Sequence, residues 1–503
     1  MLREVQVACL SFSMSASSSD GSLWKIHVVL LSGRSGVVEA PPFSSILELK
    51  LRAQERLRQG FISLLSDGSC LDPTLSLQSA GLRDEDTVQV IVQPASVSST
   101  ERAFALCCGG TVVAWGGAQN MPGCDSCKLH QASEVCRLSC LKVCKMTSTC
   151  RAFAAILDDG LAAWGPGRDC SVIRGLNVEA IQATEDAFAA VADGKVVTWG
   201  DRGCGGSSED VQDFLRDVKQ IQASKRAFAA ILADGSVVAW GDPRHGGDIS
   251  RVRLRLRKVV AIQSTCSAFA AILSDGSVVA WGHPGYGGDS TQVQAELKDV
   301  RAIQASRRAF AAIRRDGSVV AWGDWYCGGD CRQVSAQLKD VLKIQASFGA
   351  FAAILADGSV VTWGDRLRGG DSSAVQSELK NVKDIQSACG AFAAILADGS
   401  VVAWGDPQHG GDLGSLGALR ATQIQSSRTA FAAISADGSV STWGDRHGGG
   451  DSSLVQDQLR DVREIQASSY AFTAILGNGA IVTWGLPECG GDSSQLQDQL
   501  AKL

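Results

Sequence analysis

Short apolar runs separated by glycine-bearing turns recur along most of this chain. Residues 350–364, Ala-Phe-Ala-Ala-Ile-Leu-Ala-Asp-Gly-Ser-Val-Val-Thr-Trp-Gly, give the unit in full. The runs 350–355 and 359–364 have the length and β-branched or aromatic content of strands. Between them, Asp357-Gly358 supplies the two positive-φ residues of a tight hairpin. Ile344-Gln-Ala-Ser347 adds a strand before them. After the third strand comes a glycine-hinged loop, Asp365-Arg-Leu-Arg-Gly-Gly-Asp371. Val375, Leu379 and Val382 then stand at i, i+4 and i+7, the apolar stripe of a short helix. Asp371 is placed to cap that helix. Capping is the better reading than cation ligation, because calcium needs several oxygens converging from one loop.

The unit repeats. Ten tryptophans stand in register, Trp115, Trp164, Trp199, Trp240, Trp281, Trp322, Trp363, Trp404, Trp443 and Trp484. Six of the nine spacings are 41 residues, the others 49, 35 and 39. A fixed period of about 20–50 residues is the mark of solenoids and propellers. Three short strands and a helical return per period favour a propeller-like array of about ten repeats, mainly β, over residues 103–503. Alanines around each phenylalanine suit a strand crowded near an axis, and the tryptophans fill the space between neighbouring sheets.

Residues 24–93 follow another pattern. Trp24–Leu31 reads as a strand, Ser32–Gly36 as its turn, and Val37-Val38 opens a second strand. Ser44 or Ser45 caps a helix with Ile46, Leu49, Ala53 and Leu57 on one face. Phe61–Leu65 and Thr87–Gln93 are further strands. Residues 1–23 read as a disordered segment without the basic start and long apolar core of a signal peptide. Residues 94–102 read as a polar linker.

Composition narrows the function classes. The chain has 503 residues, is 45% hydrophobic and 20% charged, and carries a formal net charge of −6. That balance offers no broad basic footprint for nucleic acid or anionic membrane, and no apolar run is long enough to span a bilayer. The 17 cysteines are an odd number without paired spacing, apart from Cys107 and Cys150, which points to a reducing cytoplasmic or nuclear setting.

Two resemblances follow from these residues. The order β-β-α-β-β over 24–93, with Leu64-Leu65, Asp67-Gly68, Leu71-Asp72, Leu77, Gly81-Leu82 and Asp86-Thr87-Val88, resembles the ubiquitin-like β-grasp family. The strand runs on into Gln93-Pro94-Ala95-Ser96 in place of a diglycine tail, so the resemblance implies a fixed domain that is recognised, not a tag. Its contact surface would lie on the sheet, with Phe61, Leu65 and Val90 as candidates; the alternative is that these three are core. The repeats, with Ile-Gln-Ala-Ser, Asp-Gly-Ser-Val-Val-Ala-Trp-Gly and Gly-Gly, resemble those of the regulator of chromosome condensation family. The short three-strand unit is closest to propeller-type beta-lactamase inhibitor proteins. Ten repeats exceed the seven blades usual in that superfamily and the four to eight of most propellers.

Candidate chemistry is sparse. One position, five residues after each tryptophan, changes in nearly every unit: Cys204, His245, Tyr286, Cys327, Arg368, His409, Gly448 with His447 beside it, and Cys489. On a ring such positions share one rim, so they form either a partner-reading surface or a set of tolerant loop tips. Zinc at this rim is excluded by distance, since its ligands must lie within about 2.3 Å of one point. Cys124-Asp-Ser-Cys127 with His130, Cys136, Cys140 and Cys144 is a second metal candidate. There Cys136 and Cys140 occupy core positions of the repeat, leaving too few ligands. Arg251, Arg253, Arg255, Arg257 and Lys258 make a basic stretch, read as a solvated helix face or a site for a phosphate- or acid-rich partner. No nucleophile–base constellation, phosphate loop or metal motif is present, and no cofactor is expected.

The reading is a non-enzymatic protein-interaction scaffold. Its propeller rim binds a protein partner, and its ubiquitin-like domain links that partner to ubiquitin and proteasome machinery. A guanine-nucleotide exchange factor for a small GTPase and a propeller-type enzyme inhibitor are the alternatives that the resemblance implies. Membrane and nucleic acid are not expected partners.

Overall fold

The structure, a computed structural model, describes residues 23–494 apart from 58, 94, 109–110, 117–142, 150–151, 158–159 and 166–167. The first 22 residues, expected to be disordered, and the Cys124–Cys140 part of the metal candidate lie outside the described residues. Cys144 falls in the strand Val143–Ser148. The chain divides into two compact units, Met1–Val92 and Gln93–Leu503.

In the first unit, β1 (Trp24–Leu30), β2 (Ser35–Ala40), α1 (Ile46–Leu57), β3 (Ile62–Ser66), β4 (Ser69–Cys70) and β5 (Thr87–Val92) build one sheet in the order β2-β1-β5-β3-β4. β1 and β5 run parallel and the other pairs antiparallel. Ser45 Oγ accepts from Glu48 N at 3.1 Å and so caps α1. Alternation along the strands drives Ile26, Val28, Leu64, Val88 and Val90 against Ile46, Leu49, Ala53 and Leu57 of the helix.

Among the described residues, ten sheets follow in the second unit, each of three antiparallel strands except the second, which has four. The seventh shows the pattern, with strands Val341–Ala346, Ala350–Leu355 and Val360–Gly364. Phe351 pairs with Trp363 across the second and third strands, and the rings stack at 5.2 Å between centroids. The tryptophan Nε1 then donates to Gly328 O of the preceding sheet at 3.0 Å. Core clusters span neighbouring sheets, as where Ala350, Ala352 and Ile354 pack on Phe392, Ala394 and Trp404. Both faces of each sheet are covered this way, which is why the middle strand is buried along nearly its whole length. Repeated three-strand sheets packed face to face fit a β-propeller.

Three expectations change. Residues 95–99, expected as linker, are a strand paired with Ala103–Cys108, so the first sheet begins there. The helical return is a run of turns, with 3₁₀ geometry in some repeats. Asp371 Oδ1 accepts from Ser373 N at 3.0 Å, closing its own turn instead of capping a helix. Leu379 and Val382 are buried as their spacing requires. Asn381 at φ 53° breaks the run first, and so few residues cannot repay helix nucleation.

The Asp-Gly hairpin also differs. Gly358 has φ 78° and donates to Leu355 O at 2.9 Å, and Leu355 N donates to Ser359 O at 2.9 Å. Asp357 is not in the positive-φ region, so the loop has three residues and ends in a bulge glycine. Among the described Asp-Gly turns of the repeats, Asp193-Gly194 alone has the expected pair, φ 51° and 71°. Its loop is one residue shorter, with Ala192 directly opposite Lys195.

Candidate functional site

In nine of the ten described sheets the first strand is followed by a serine or threonine that fixes the hairpin after it; the eighth has Ala388 there. Ser347 Oγ accepts from Ala350 N at 3.1 Å and donates to Arg368 O, in the loop after the third strand, at 2.9 Å. The same pair of bonds is made by Thr184 with Cys204 O and Ser306 with Cys327 O. Hairpin and loop are thereby clipped together on one face of the unit.

The next residue of each hairpin joins a belt of backbone bonds. Glu185 N donates to Lys225 O, and the pattern continues through Cys266, Arg307, Phe348, Cys389, Arg428 and Ser469 to Glu101 O, at 2.8–3.2 Å throughout. The last bond, Ser469 N to Glu101 O at 3.0 Å, joins the tenth sheet to the first. Trp115 Nε1 to Gly490 O at 3.2 Å and Ser99 Oγ to Ala467 O at 2.7 Å reinforce that junction. These nine residues converge on one cavity of about 920 Å³. The belt uses their backbone groups, so side chains decide what the mouth of the cavity can bind.

Those side chains are unlike: two glutamates, one lysine, two arginines, two cysteines, a phenylalanine and a serine. Lys225 Nζ lies 3.2 Å from Glu185 Oε1, and Arg428 pairs with Glu101. Arg307 stands 5.4 Å over the Phe348 ring. Burial pushes the Cys389 thiol up to about 11, against the pull of Arg428, Arg368 and Arg307, so it is a protonated thiol at neutral pH.

The rim position lies just outside this mouth, and most of its side chains are not freely displayed. Cys204 and Cys489 are buried, and Burial pushes both thiols up. His245, Tyr286, Cys327 and His409 are half-buried, while Arg368 and His447 are exposed. In five loops the reason is the aspartate two residues after the tryptophan, Asp242, Asp324, Asp365, Asp406 or Asp445, whose Oδ1 closes the loop on its own i+2 N–H; His283 and Leu486 stand there in the loops of Tyr286 and Cys489. Its second oxygen needs one partner. That partner comes from the loop in His245 with Asp242 (3.1 Å), Arg368 with Asp365 (3.2 Å) and His409 with Asp406 (2.7 Å). It comes from the hairpin in Arg308 with Asp324 (3.0 Å) and Thr429 with Asp445 (3.2 Å). In two repeats a large loop residue faces a hairpin glycine: a Cβ on Gly349 would meet Arg368 Cδ at 2.8 Å, and one on Gly390 the His409 ring at 3.0 Å. In these repeats the rim residue and the hairpin residue together fill the space around a fixed carboxylate.

The exposed loop residues come one or two places earlier. Trp325, Tyr326 and Leu367, on the sixth and seventh sheets, are 75%, 50% and 74% exposed. Neither these nor the belt residues were singled out from the sequence. The belt position was legible as the first of two changing residues between a serine, threonine or alanine and an Ala-Phe pair.

Arg251, Arg253, Arg255, Arg257 and Lys258 are all exposed, but on turns and not on a helix. Arg253 lies 5.3 Å over Phe214, and Arg255 Nη2 donates to Gln294 Oε1 at 3.2 Å. In the first unit, Phe61 (3% exposed) and Val90 (1%) are buried, so neither forms a contact surface. Strand alternation puts Val90 on the helix side, while half-buried Leu65 sits with Val29 and Ile91 on the open side. Among the described residues no group of three metal-ligating side chains is placed to hold a metal ion.

No family model matches the chain, and no curated protein does. Solved structures with similarity include yeast RCC1 (Prp20) bound to Kap60, at 16% identity, covering 63% of this chain and 80% of that one, TM-score 0.33. The computationally designed Ika8 protein matches at 15% identity over 68% of this chain and 95% of its own, TM-score 0.30. A structure described as molecular mimicry of SUMO in DNA repair matches at 25% identity over 15% of this chain and 96% of its own, TM-score 0.14. The architecture rests on the sheets themselves.

Proposed function

We propose that this protein is a non-enzymatic interaction scaffold whose second unit is a closed ring of ten blades, with the axial mouth as its partner-binding face. One observation carries the reading: nine equivalent positions of a near-uniform repeat, brought to one cavity, bear unlike side chains on a backbone already saturated with hydrogen bonds. A rigid frame presenting varied side chains is the arrangement of a recognition surface. The first unit is read as ubiquitin-like, on its strand order β2-β1-β5-β3-β4 and the helix packed on one face. It would connect the bound partner to ubiquitin-handling machinery in the cytoplasm or nucleus.

The test is affinity capture with the full chain and two variants. Lys225→Ala/Arg307→Ala/Arg428→Ala should lose proteins that the parent retains, while Arg251→Ser/Arg253→Ser/Arg255→Ser should keep them. Retention by the first and loss by the second would move the site to the basic turn. Unchanged ubiquitin-pathway association after deletion of residues 1–92 would remove the linking role.

A further inference from the structure

The sixth and seventh sheets differ from the rest of the face, and resting on the reading above they specify the partner's chemistry. Four arginines of this sector's hairpins and loops have their own aspartate. Arg308 pairs with Asp324, Arg332 with Asp330, Arg366 with Asp371 and Arg368 with Asp365. Arg307 has none: its guanidinium lies over the Phe348 ring, and among the described residues no carboxylate pairs with it. Arg301, which donates to Val341 O and Leu342 O, and Arg315 also lack a carboxylate but stand at the other end of the sixth sheet, on the start of its first strand and the turn before its third. Stacking on an aromatic face leaves the edge donors of a guanidinium directed outward, and it supplies no negative charge.

Apolar surface borders that cation. Ser306 Oγ clips the Arg307 hairpin to Cys327 O, and Arg308 reaches Asp324, so the hairpin and the Trp325-Tyr326 tip form one fixture. Ser347 does the same for Phe348 and the Leu367 tip through Arg368 O. Tyr326 N and Leu367 N are each held by the loop aspartate at 3.0 Å, so both tips are fixed. Trp325 and Tyr326 make an edge contact at 5.7 Å and still leave much of their surface exposed. The equivalent tips elsewhere carry Arg202-Gly203, Pro243-Arg244, Pro284-Gly285, Pro407-Gln408, Arg446-His447 and Pro487-Glu488, none with two large apolar residues.

We infer that this sector binds an extended segment of a partner protein in which a carboxylate neighbours apolar side chains. The carboxylate takes the Arg307 guanidinium as a charge-assisted, bidentate pair. The apolar side chains cover Trp325, Tyr326 and Leu367, whose burial supplies affinity that the ion pair alone would not. Charge complementarity fixes the sign of the segment, because Arg307 is the base on this face that the neighbouring aspartates leave over.

Fluorescence anisotropy on the full chain tests this with three labelled peptides alternating Leu with Glu, Gln or Lys. The Glu–Leu peptide should bind saturably, at least about tenfold tighter than the other two, and weaken as salt is raised. Arg307→Gln should abolish the preference for Glu over Gln. Trp325→Ser/Leu367→Ser should weaken Glu–Leu binding about tenfold without removing that preference. Arg253→Gln should change neither, and unchanged melting confirms that each variant is folded. Equal or tighter binding of the Lys–Leu peptide, no saturable Glu–Leu binding, or an Arg307→Gln variant that keeps the preference overturns the inference. If the mouth variants still lose captured partners in that event, the scaffold reading stands and only this chemistry falls.

Discussion

Eight tryptophans of the ladder, Trp115 and the seven from Trp240 to Trp484, each join two sheets with two different forces. Trp363 stacks on Phe351 within its own sheet and donates to Gly328 O of the sheet before. Losing one such bond costs about 1 kcal/mol, and emptying the ring's volume as well costs about 3–5 kcal/mol. Trp363→Phe should therefore lower the thermal midpoint modestly and Trp363→Ala severely, read by circular dichroism. Turn aspartates set a pH limit. Ser359 hydroxyl and backbone bonds hold the Asp357 carboxyl below its ordinary value of 3.8, and Ser236, Ser277, Ser318 and Ser439 do the same for their aspartates. A lowered folded pKa gives stability that is complete above the ordinary value and lost as pH falls through the folded one. Melting temperature should thus be flat down to about pH 4 as far as these groups are concerned and drop below it, less steeply in a multiple Asp→Asn variant. Thiol reactivity follows burial: iodoacetamide at pH 8 should label exposed Cys70 well before Cys389, by mass spectrometry of the digest.

At the scale of one element, loop length selects the turn. The three-residue loop ends on Gly358, where a Cβ would meet Asn381 Cα at 2.7 Å; at Gly194, in the two-residue loop, the nearest atom is 3.5 Å away. Both glycines have positive φ, so alanine costs about 1 kcal/mol at either. Only Gly358→Ala adds a clash with a neighbouring sheet's backbone. Its melting temperature should fall further than that of Gly194→Ala, and an equal fall would show that the packing is slack. Strands, hairpins and the first unit's helix were readable from periodicity and glycine placement. The second turn class was not, because Asp-Gly has the same chemistry in loops of two and three residues. The expected short helix failed for a related reason. Val375, Leu379 and Val382 have helical spacing, but side chains spaced for burial do not dictate the backbone when Asp371 and Asn381 close turns at both ends.

For the whole molecule the belt of hairpin bonds is the controlling feature. An open array loses one interface when its last repeat is removed, whereas a closed ring also uncovers the first sheet. A chain ending at Gly444 would deprive Trp115 Nε1, Ser99 Oγ and Glu101 O of Gly490, Ala467 and Ser469. Its urea transition should move to lower concentration and broaden; an unchanged transition would show that the ends do not depend on each other.

The sequence by itself determined the repeat, its strands, the aromatic pairs that lock sheets together and the separate character of residues 24–93, since these follow from local periodicity and side-chain volume. Tertiary structure decided which variable positions matter. Counting from the tryptophans reached the rim residues, but only the packed sheets show that several of them surround a carboxylate together with a hairpin residue. Glu101, Glu185, Lys225, Cys266, Arg307, Phe348, Cys389, Arg428 and Ser469 are about a repeat or more apart along the chain and meet because the sheets curve round one axis. Convergence of that kind leaves no mark in local sequence, and it is where the proposed recognition resides.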